Sequence, residues 1–323
     1  MTNLEDNPVY GSTKGRAKET CRFGNALSPR ENRLVDGVVA DGLNDGFSGY
    51  IYAARTAVLE KNMDAAVVSQ LDPRHARISL FALKVVDDMD RHFDSHRKQY
   101  ALPLSQGREP LLSALDSVTT SKYGAEATIG GMFQILLSLV DDKDLYDDKA
   151  RERILGDYQQ LRTDTTDALV LYEAAPLTLS VEDVTDLKRR TDETYAHLIF
   201  DLECAALIDK LGYDEARRMY GKAMFAAQYT DDILDFKKDT RKGVANLLRA
   251  YASVNGELPT LLNRAMGLFS AKAVGVPTYF SQVAFLAPLS YEKMRQAQEG
   301  VSAEAGISNV TNLMAIPSVQ SSL

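Results

Sequence analysis

Apolar positions along this chain recur at helical rather than strand spacing. Ile129, Met132, Phe133, Leu136, Leu137 and Val140 fall on one side of a 3.6-residue period, as do Tyr195, Leu198, Ile199, Leu202, Ala205 and Ala206. The ten prolines leave residues 111–175 and 177–258 without one, so helices can run long there. Start signals agree: Ser180 precedes Val181-Glu182-Asp183, and Asp214-Glu215 precede Ala216-Arg217-Arg218. Strand-like alternation is hardly visible, and the expectation is an all-α protein. Residues 1–27 lack periodicity and residues 300–323 are rich in Ser, Ala, Gly and Asn, so both ends read as tails. Between them no Gly/Ser linker and no repeat interrupts the pattern, and residues 28–299 read as one helical domain. The charged stretch from Asp141 to Asp148 marks a break between helices.

Composition narrows the function classes. The 323 residues are 45% hydrophobic and 25% charged, as in a folded globular chain. A net charge of -8 gives no basic footprint for nucleic acid or anionic lipid, so an anionic substrate needs local cations or bound metal. Cys21 and Cys204 make neither a disulfide framework nor a four-ligand zinc site and read as free thiols. Met1 to Arg16 lacks the apolar stretch of a signal peptide, and no segment approaches the roughly 20 apolar residues of a membrane span. The expectation is a cytoplasmic protein without a nucleic-acid partner; a homodimer stays open.

Two acidic clusters continue apolar stripes. In the segment from Ile78 to Asp94, Leu80, Leu83, Asp87, Asp90 and Asp94 follow at steps of three and four, so a helix puts them on one face. Burying an uncompensated carboxylate is costly, so a cation must face them, unless the helix simply emerges into solvent at Asp87. In the segment from Ala216 to Asp239, Ala216, Tyr220, Ala223, Ala227, Asp231, Asp235 and Asp239 share a side, with three aspartates spaced by four. Carboxylates one turn apart repel unless they share a cation. Two such helices in opposition would make an oxygen-rich site for Mg²⁺, completed by substrate phosphates. Neutralising Asp87 or Asp235 is then expected to stop turnover and, by relieving repulsion in the metal-free protein, to raise the melting temperature.

Asp231-Asp232-Ile233-Leu234-Asp235-Phe236-Lys237-Lys238-Asp239 resembles the second metal motif of class I terpene cyclases, N-D-x-x-S-x-x-x-E with a lysine before the last acid. Asp231, Asp235 and Asp239 fall on the ligand positions and Lys238 on the lysine; two aspartates stand where the motif has Asn and Ser. The segment is similar also to the D-D-x-x-D motif of prenyl diphosphate synthases. Gln228, Thr230, Asp231 and Asp235 match part of the squalene and phytoene synthase pattern. Asp87-Asp88-Met89-Asp90-Arg91 is similar to the first acidic motif, with Arg91 where its final Asp would stand, so Asp87, Asp88, Asp90 and Asp94 are its candidate ligands. Lys188-Arg189-Arg190-Thr191-Asp192 is similar to the diphosphate-sensing arginine and acidic linker at a helix break; Arg189 precedes Asp231 by 42 residues.

The resemblance implies a single helical bundle of the isoprenoid synthase type, with the active site in its cavity and three Mg²⁺ ions bound. It implies Arg189 and Lys238 as catalytic groups, with Arg190 and Lys242 as further diphosphate contacts. Phe81, Tyr195, Phe200, Phe225 and Tyr229 are candidates for the cavity wall, although aromatic residues at helical spacing usually just pack. The substrate it implies is a linear allylic diphosphate, farnesyl diphosphate first, cyclised to a sesquiterpene. Chain elongation or head-to-head condensation is the alternative, but the early Gly-Lys-Arg and the tandem Arg expected for elongation are missing. Two further readings stay open: a zinc site on His92 and His96, spaced i, i+4, and a non-enzymatic helical scaffold. His75, His197 and the Asp141-Asp142 and Asp147-Asp148 pairs read as ordinary helix and turn residues, and Gly130-Gly131 as a close-packing or kink position.

Overall fold

The computed structural model describes residues 23, 26–44, 55, 58–59, 62–123, 127–174, 181–221 and 224. Among these residues helices dominate and there is no strand, only one isolated antiparallel bridge between Thr119 and Thr128. The all-α expectation therefore holds. In chain order the helices are α1 (Pro29–Asn44), α2 (Ala65–Val68), α3 (Pro73–His96), α4 (Ala101–Gln106), α5 (Arg108–Asp116), α6 (Ile129–Val140), α7 (Asp148–Ala174), α8 (Val181–Cys204) and α9 (213–221). Both long proline-poor stretches hold long helices, and α8 begins directly after Ser180.

Local chemistry sets the boundaries. Ser28 and Glu31 form a capping box, with the Ser28 N–H donating to Glu31 Oε2 at 2.7 Å and the Glu31 N–H to Ser28 Oγ at 3.3 Å. Pro29 and Pro73 each occupy a first helical position, where the missing N–H costs nothing. Thr128 caps α6 by accepting from the Gly131 N–H at 3.0 Å. The charged break at 141–147 is a turn in which Asp142 accepts from the Asp144 N–H at 2.9 Å and Asp147 from the Ala150 N–H at 2.8 Å, capping α7. Gly130 is a close-packing position: a Cβ there would stand 2.9 Å from Asp116 Cβ and 3.0 Å from the Asp116 carbonyl oxygen, which lets α6 meet the end of α5.

The chain divides into two compact units. One comprises residues 2–170 and 194–220; the other holds residues 171–193 and 221–323 together with Met1. In the first unit, α1 packs on α3, α3 on α6, and α5 on α6. Its centre is the first half of α3, where every residue from His75 to Val85 is buried. The polar members of that run each have a partner: His75 Nε2 meets the Leu145 carbonyl at 2.7 Å, Ser79 Oγ donates to the Ile199 carbonyl at 2.9 Å, and Arg77 pairs with Asp36. On α6 the buried set is Ile129, Met132, Phe133, Ile135, Leu136, Leu139 and Val140, wider than the periodicity suggested, while Leu137 is only partly buried. The residues of α8 from Tyr195 to Cys204 are buried nearly all round, and Ala206 beyond them is exposed.

In the second unit the described residues of α8 make an i, i+4 ion pair, Arg189 Nη1 to Glu193 Oε2 at 3.1 Å, and Thr191 Oγ1 donates to the Leu187 carbonyl at 3.0 Å. The expected N-terminal tail lies mostly, and the C-terminal tail wholly, outside the described residues.

Candidate functional site

The first acidic cluster sits where α3 leaves the core. After Val85 the buried face of the helix continues through Met89 and Phe93, and Asp90 is exposed. The stripe drawn from Leu80 and Leu83 therefore runs out into solvent at Asp90, and Asp87 and Asp88 sit half-buried at its edge. Asp94 belongs to α3, and its side chain is not among those described.

The cation that faces Asp87 and Asp88 is a lysine from the same helix. Lys84, 2% exposed, places Nζ 2.6 Å from Asp87 Oδ2, 2.8 Å from Asp88 Oδ1 and 3.6 Å from Asp41 Oδ2 of α1. Arg91 Nε donates to Asp87 Oδ1 at 2.8 Å, and the Tyr123 hydroxyl lies 2.8 Å from both Asp88 Oδ2 and Asp41 Oδ2. Lys122 Nζ adds a contact to Asp41 Oδ2 at 2.6 Å. Every carboxylate oxygen of Asp87 and Asp88 thus has a protein donor. Burial alone would lower the Lys84 pKa, but the hydrogen bonds and charges of Asp87 and Asp88 outweigh it and hold the amine well above the ordinary lysine value. Burial, together with Asp88 and Asp41, pushes the Tyr123 hydroxyl up. Asp41 is desolvated, yet Lys122 and Tyr123 bring its pKa below the usual carboxylate value.

As arranged, the pair does not fit a divalent ion. An ion placed between Asp87 and Asp88 would meet the Lys84 ammonium within a few ångströms, in surroundings that screen poorly. Among the described residues, no group of three or more His, Cys, Asp or Glu side chains is placed to hold a metal ion. His92 and His96 stack with ring centroids 4.2 Å apart and planes 15° apart, and His96 Nδ1 lies 3.0 Å from the His92 carbonyl, so the i, i+4 pair forms a stack without a third ligand among those residues.

A second charged cluster joins α7, α8 and α9 inside the first unit. Arg217 Nη2 donates to both oxygens of Asp157 at 2.8 and 2.7 Å, and Arg217 Nε reaches both oxygens of Asp201 at 3.0 Å. The Tyr213 hydroxyl donates to Asp201 Oδ1 at 2.5 Å, while Arg153 approaches Asp201 at 3.5 Å and pairs with Asp214 at 2.8 Å. Burial pushes the Asp201 carboxyl up to about 7 against the pull of Arg217. Burial and the nearby Arg217 cation lower His197 to about 4.

Nothing in the apolar pattern singled out Lys84, Asp41, Tyr123 or this cluster. The one available signal was the i, i+3 and i, i+4 spacing of Lys84 to Asp87 and Asp88.

The other site residues divide between described and undescribed. Helix α8 runs through Arg189, Arg190 and Asp192 without interruption, so the expected helix break is not found there. Its hydrogen bonds simply continue, because no Gly or Pro interrupts the segment. Arg189 is partly buried beside Glu193, and Arg190 is exposed. Phe81 is fully buried, the Tyr195 hydroxyl donates to the Leu83 carbonyl at 3.3 Å, and Phe200 packs against Tyr213 and Tyr220 at 5.5 Å. Phe225, Tyr229, Asp231, Asp235, Lys238, Asp239 and Lys242 lie outside the described residues. No family model, curated protein or solved structure matches this chain. No helix among the described residues is long and apolar enough to cross a membrane.

Proposed function

We propose that this chain is a class I terpene cyclase that ionises a linear allylic diphosphate, farnesyl diphosphate first, and cyclises the carbocation to a sesquiterpene. The observation that carries the reading is the run of aspartates at four-residue spacing, Asp231, Asp235 and Asp239, with Lys238 beside the last, in a chain whose described part is all-α. Bound Mg²⁺ supplies the pull on a departing diphosphate, and these three carboxylates are its candidate ligands, because Asp87 and Asp88 are neutralised by Lys84. Arg189, partly buried beside Glu193 at 3.1 Å, is the candidate cation for the diphosphate, to which a guanidinium can donate twice. Arg190, Lys238 and Lys242 are the further cations of that contact. The absence of a second cationic pocket motif favours one substrate over two.

One observation favours a second reading, a non-enzymatic helical scaffold: the donors already placed on every oxygen of Asp87 and Asp88. Gas chromatography of extracts after incubation with farnesyl diphosphate and Mg²⁺, with and without isopentenyl diphosphate, decides. A cyclic hydrocarbon or alcohol formed without isopentenyl diphosphate is the expected result. A longer prenyl diphosphate as sole product transfers the chain to the elongating enzymes, and no turnover with any allylic diphosphate leaves the scaffold.

A further inference from the structure

We infer that Lys84 is the resident cation of the first acidic cluster and takes the place that a divalent ion would have. Three carboxylates, Asp41, Asp87 and Asp88, converge on one ammonium at 3.6, 2.6 and 2.8 Å. Lys84 is buried to its tip, so its stem is packed and its head has no solvent route to abandon them for. Among the described residues, Lys84, Lys122 and Arg91 face Asp41, Asp87 and Asp88 around that centre. A divalent ion entering the same place would set two further positive charges beside a buried ammonium. Repulsion between neighbouring cations in a poorly screened site outweighs what two already-neutralised carboxylates return. The cluster instead ties α1, α3 and the 121–123 turn together, with Asp41 and Tyr123 as the cross-links.

The inference concerns Asp87 and Asp88 alone and stands apart from whether Asp231, Asp235 and Asp239 hold metal. The test counts Mn²⁺ bound per full-length chain, from the electron paramagnetic resonance signal of free Mn²⁺, in wild type, Asp87→Asn, Lys84→Ala and Lys84→Ala/Asp87→Asn. Wild type and Asp87→Asn are expected to bind the same number of ions with affinities within twofold. Lys84→Ala opens a site with three carboxylates and is expected to gain one ion per chain, bound at least tenfold more tightly than in the double variant. Should Lys84→Ala fold only with metal, a melting temperature raised by Mn²⁺ in that variant and not in the double variant reads out the same gain. Loss of one Mn²⁺ from Asp87→Asn while Lys84 is intact overturns the inference, as does a folded Lys84→Ala that gains none. Absence of Mn²⁺ from wild type altogether removes the support for a metal-dependent cyclase, and the two Lys84 variants still decide this point.

Discussion

Asp87→Asn separates a carboxylate that repels its neighbours from one that neutralises a lysine. If the first cluster were a metal site standing empty, the substitution would relieve repulsion and stabilise the metal-free protein. The geometry predicts the opposite. Asp87 accepts from Lys84 at 2.6 Å and from Arg91 at 2.8 Å, and an amide in its place presents one weaker acceptor and one unwanted donor. Removing one partner of a buried ion pair costs about 3–5 kcal/mol when nothing else compensates the remaining charge. Here Asp88 stays at 2.8 Å and Asp41 at 3.6 Å, and Asp87 itself is 12% exposed. The expected loss is therefore nearer that of a single charged hydrogen bond, about 1.5–3 kcal/mol. That corresponds to a fall of several degrees in melting temperature, taking roughly 2–4 °C per kcal/mol for a domain of this size. Thermal melts followed by circular dichroism in metal-free buffer, with the urea midpoint as a second measure, provide the assay. Glu152→Gln, at an exposed position of α7, serves as control and is expected within about 0.5 kcal/mol of wild type. A melting temperature unchanged or raised in Asp87→Asn would show that repulsion governs the cluster and that Lys84 does not neutralise it.

Two further outcomes follow from the Asp157–Arg217–Asp201 cluster. Arg217→Met leaves Asp201, which has no exposed surface, with Tyr213 and the more distant Arg153 only, and is expected to cost about 3–5 kcal/mol in urea unfolding. Arg217→Lys keeps the charge but not the double contact and is expected in between; a Met variant as stable as wild type contradicts the account. His197 gives a pH signature, because its folded pKa of about 4 lies below its ordinary 6.5. Between those values the unfolded chain binds the proton more readily, so this contribution to stability is complete above pH 6.5 and lost as the pH falls toward 4. The stability of wild type minus that of His197→Gln is expected to shrink by about 1–3 kcal/mol over that window, and a difference independent of pH refutes the assignment.

Periodicity made the helices legible because it records which residues meet the core, and that is decided locally. The charged break from Asp141 to Asp148 and the proline-free stretches marked a boundary and lengths for the same reason. Two things were not local. The first half of α3 and the second half of α8 are buried nearly all round, so no single stripe describes them, and His75, Ser79 and Asp201 enter the core on hydrogen bonds, and Glu203 on an ion pair with Arg55, that spacing does not show. The stripe from Leu80 to Asp94 allows either a buried face or a helix emerging into solvent at Asp87, and with Asp87 and Asp88 half-buried and Asp90 exposed the structure stands nearer the second. From Val85 onward the core lies toward Met89 and Phe93, about one residue round the helix.

Buried carboxylates require a cation, and for Asp87 and Asp88 it lies nearer than a metal. A lysine three or four residues before an aspartate pair can bury its stem and deliver its head to both, so the demand at Asp87 and Asp88 is met inside one helix turn. The same accounting applied to the second cluster gives another result. Residues 231–239 hold four aspartates, Asp231, Asp232, Asp235 and Asp239, and the four nearest cations, Lys237, Lys238, Arg241 and Lys242, all follow Asp235, so no lysine or arginine stands in the two turns before Asp231. Three of those aspartates recur at the same four-residue step, where like charges destabilise a helix. No lysine one turn upstream answers Asp231 and Asp232 as Lys84 answers Asp87 and Asp88, and under the proposed function a divalent ion would be their partner. The two clusters look alike as strings of aspartate. They differ in whether a lysine sits one turn upstream, and that difference makes the second, not the first, the one on which the proposed metal-dependent reading depends.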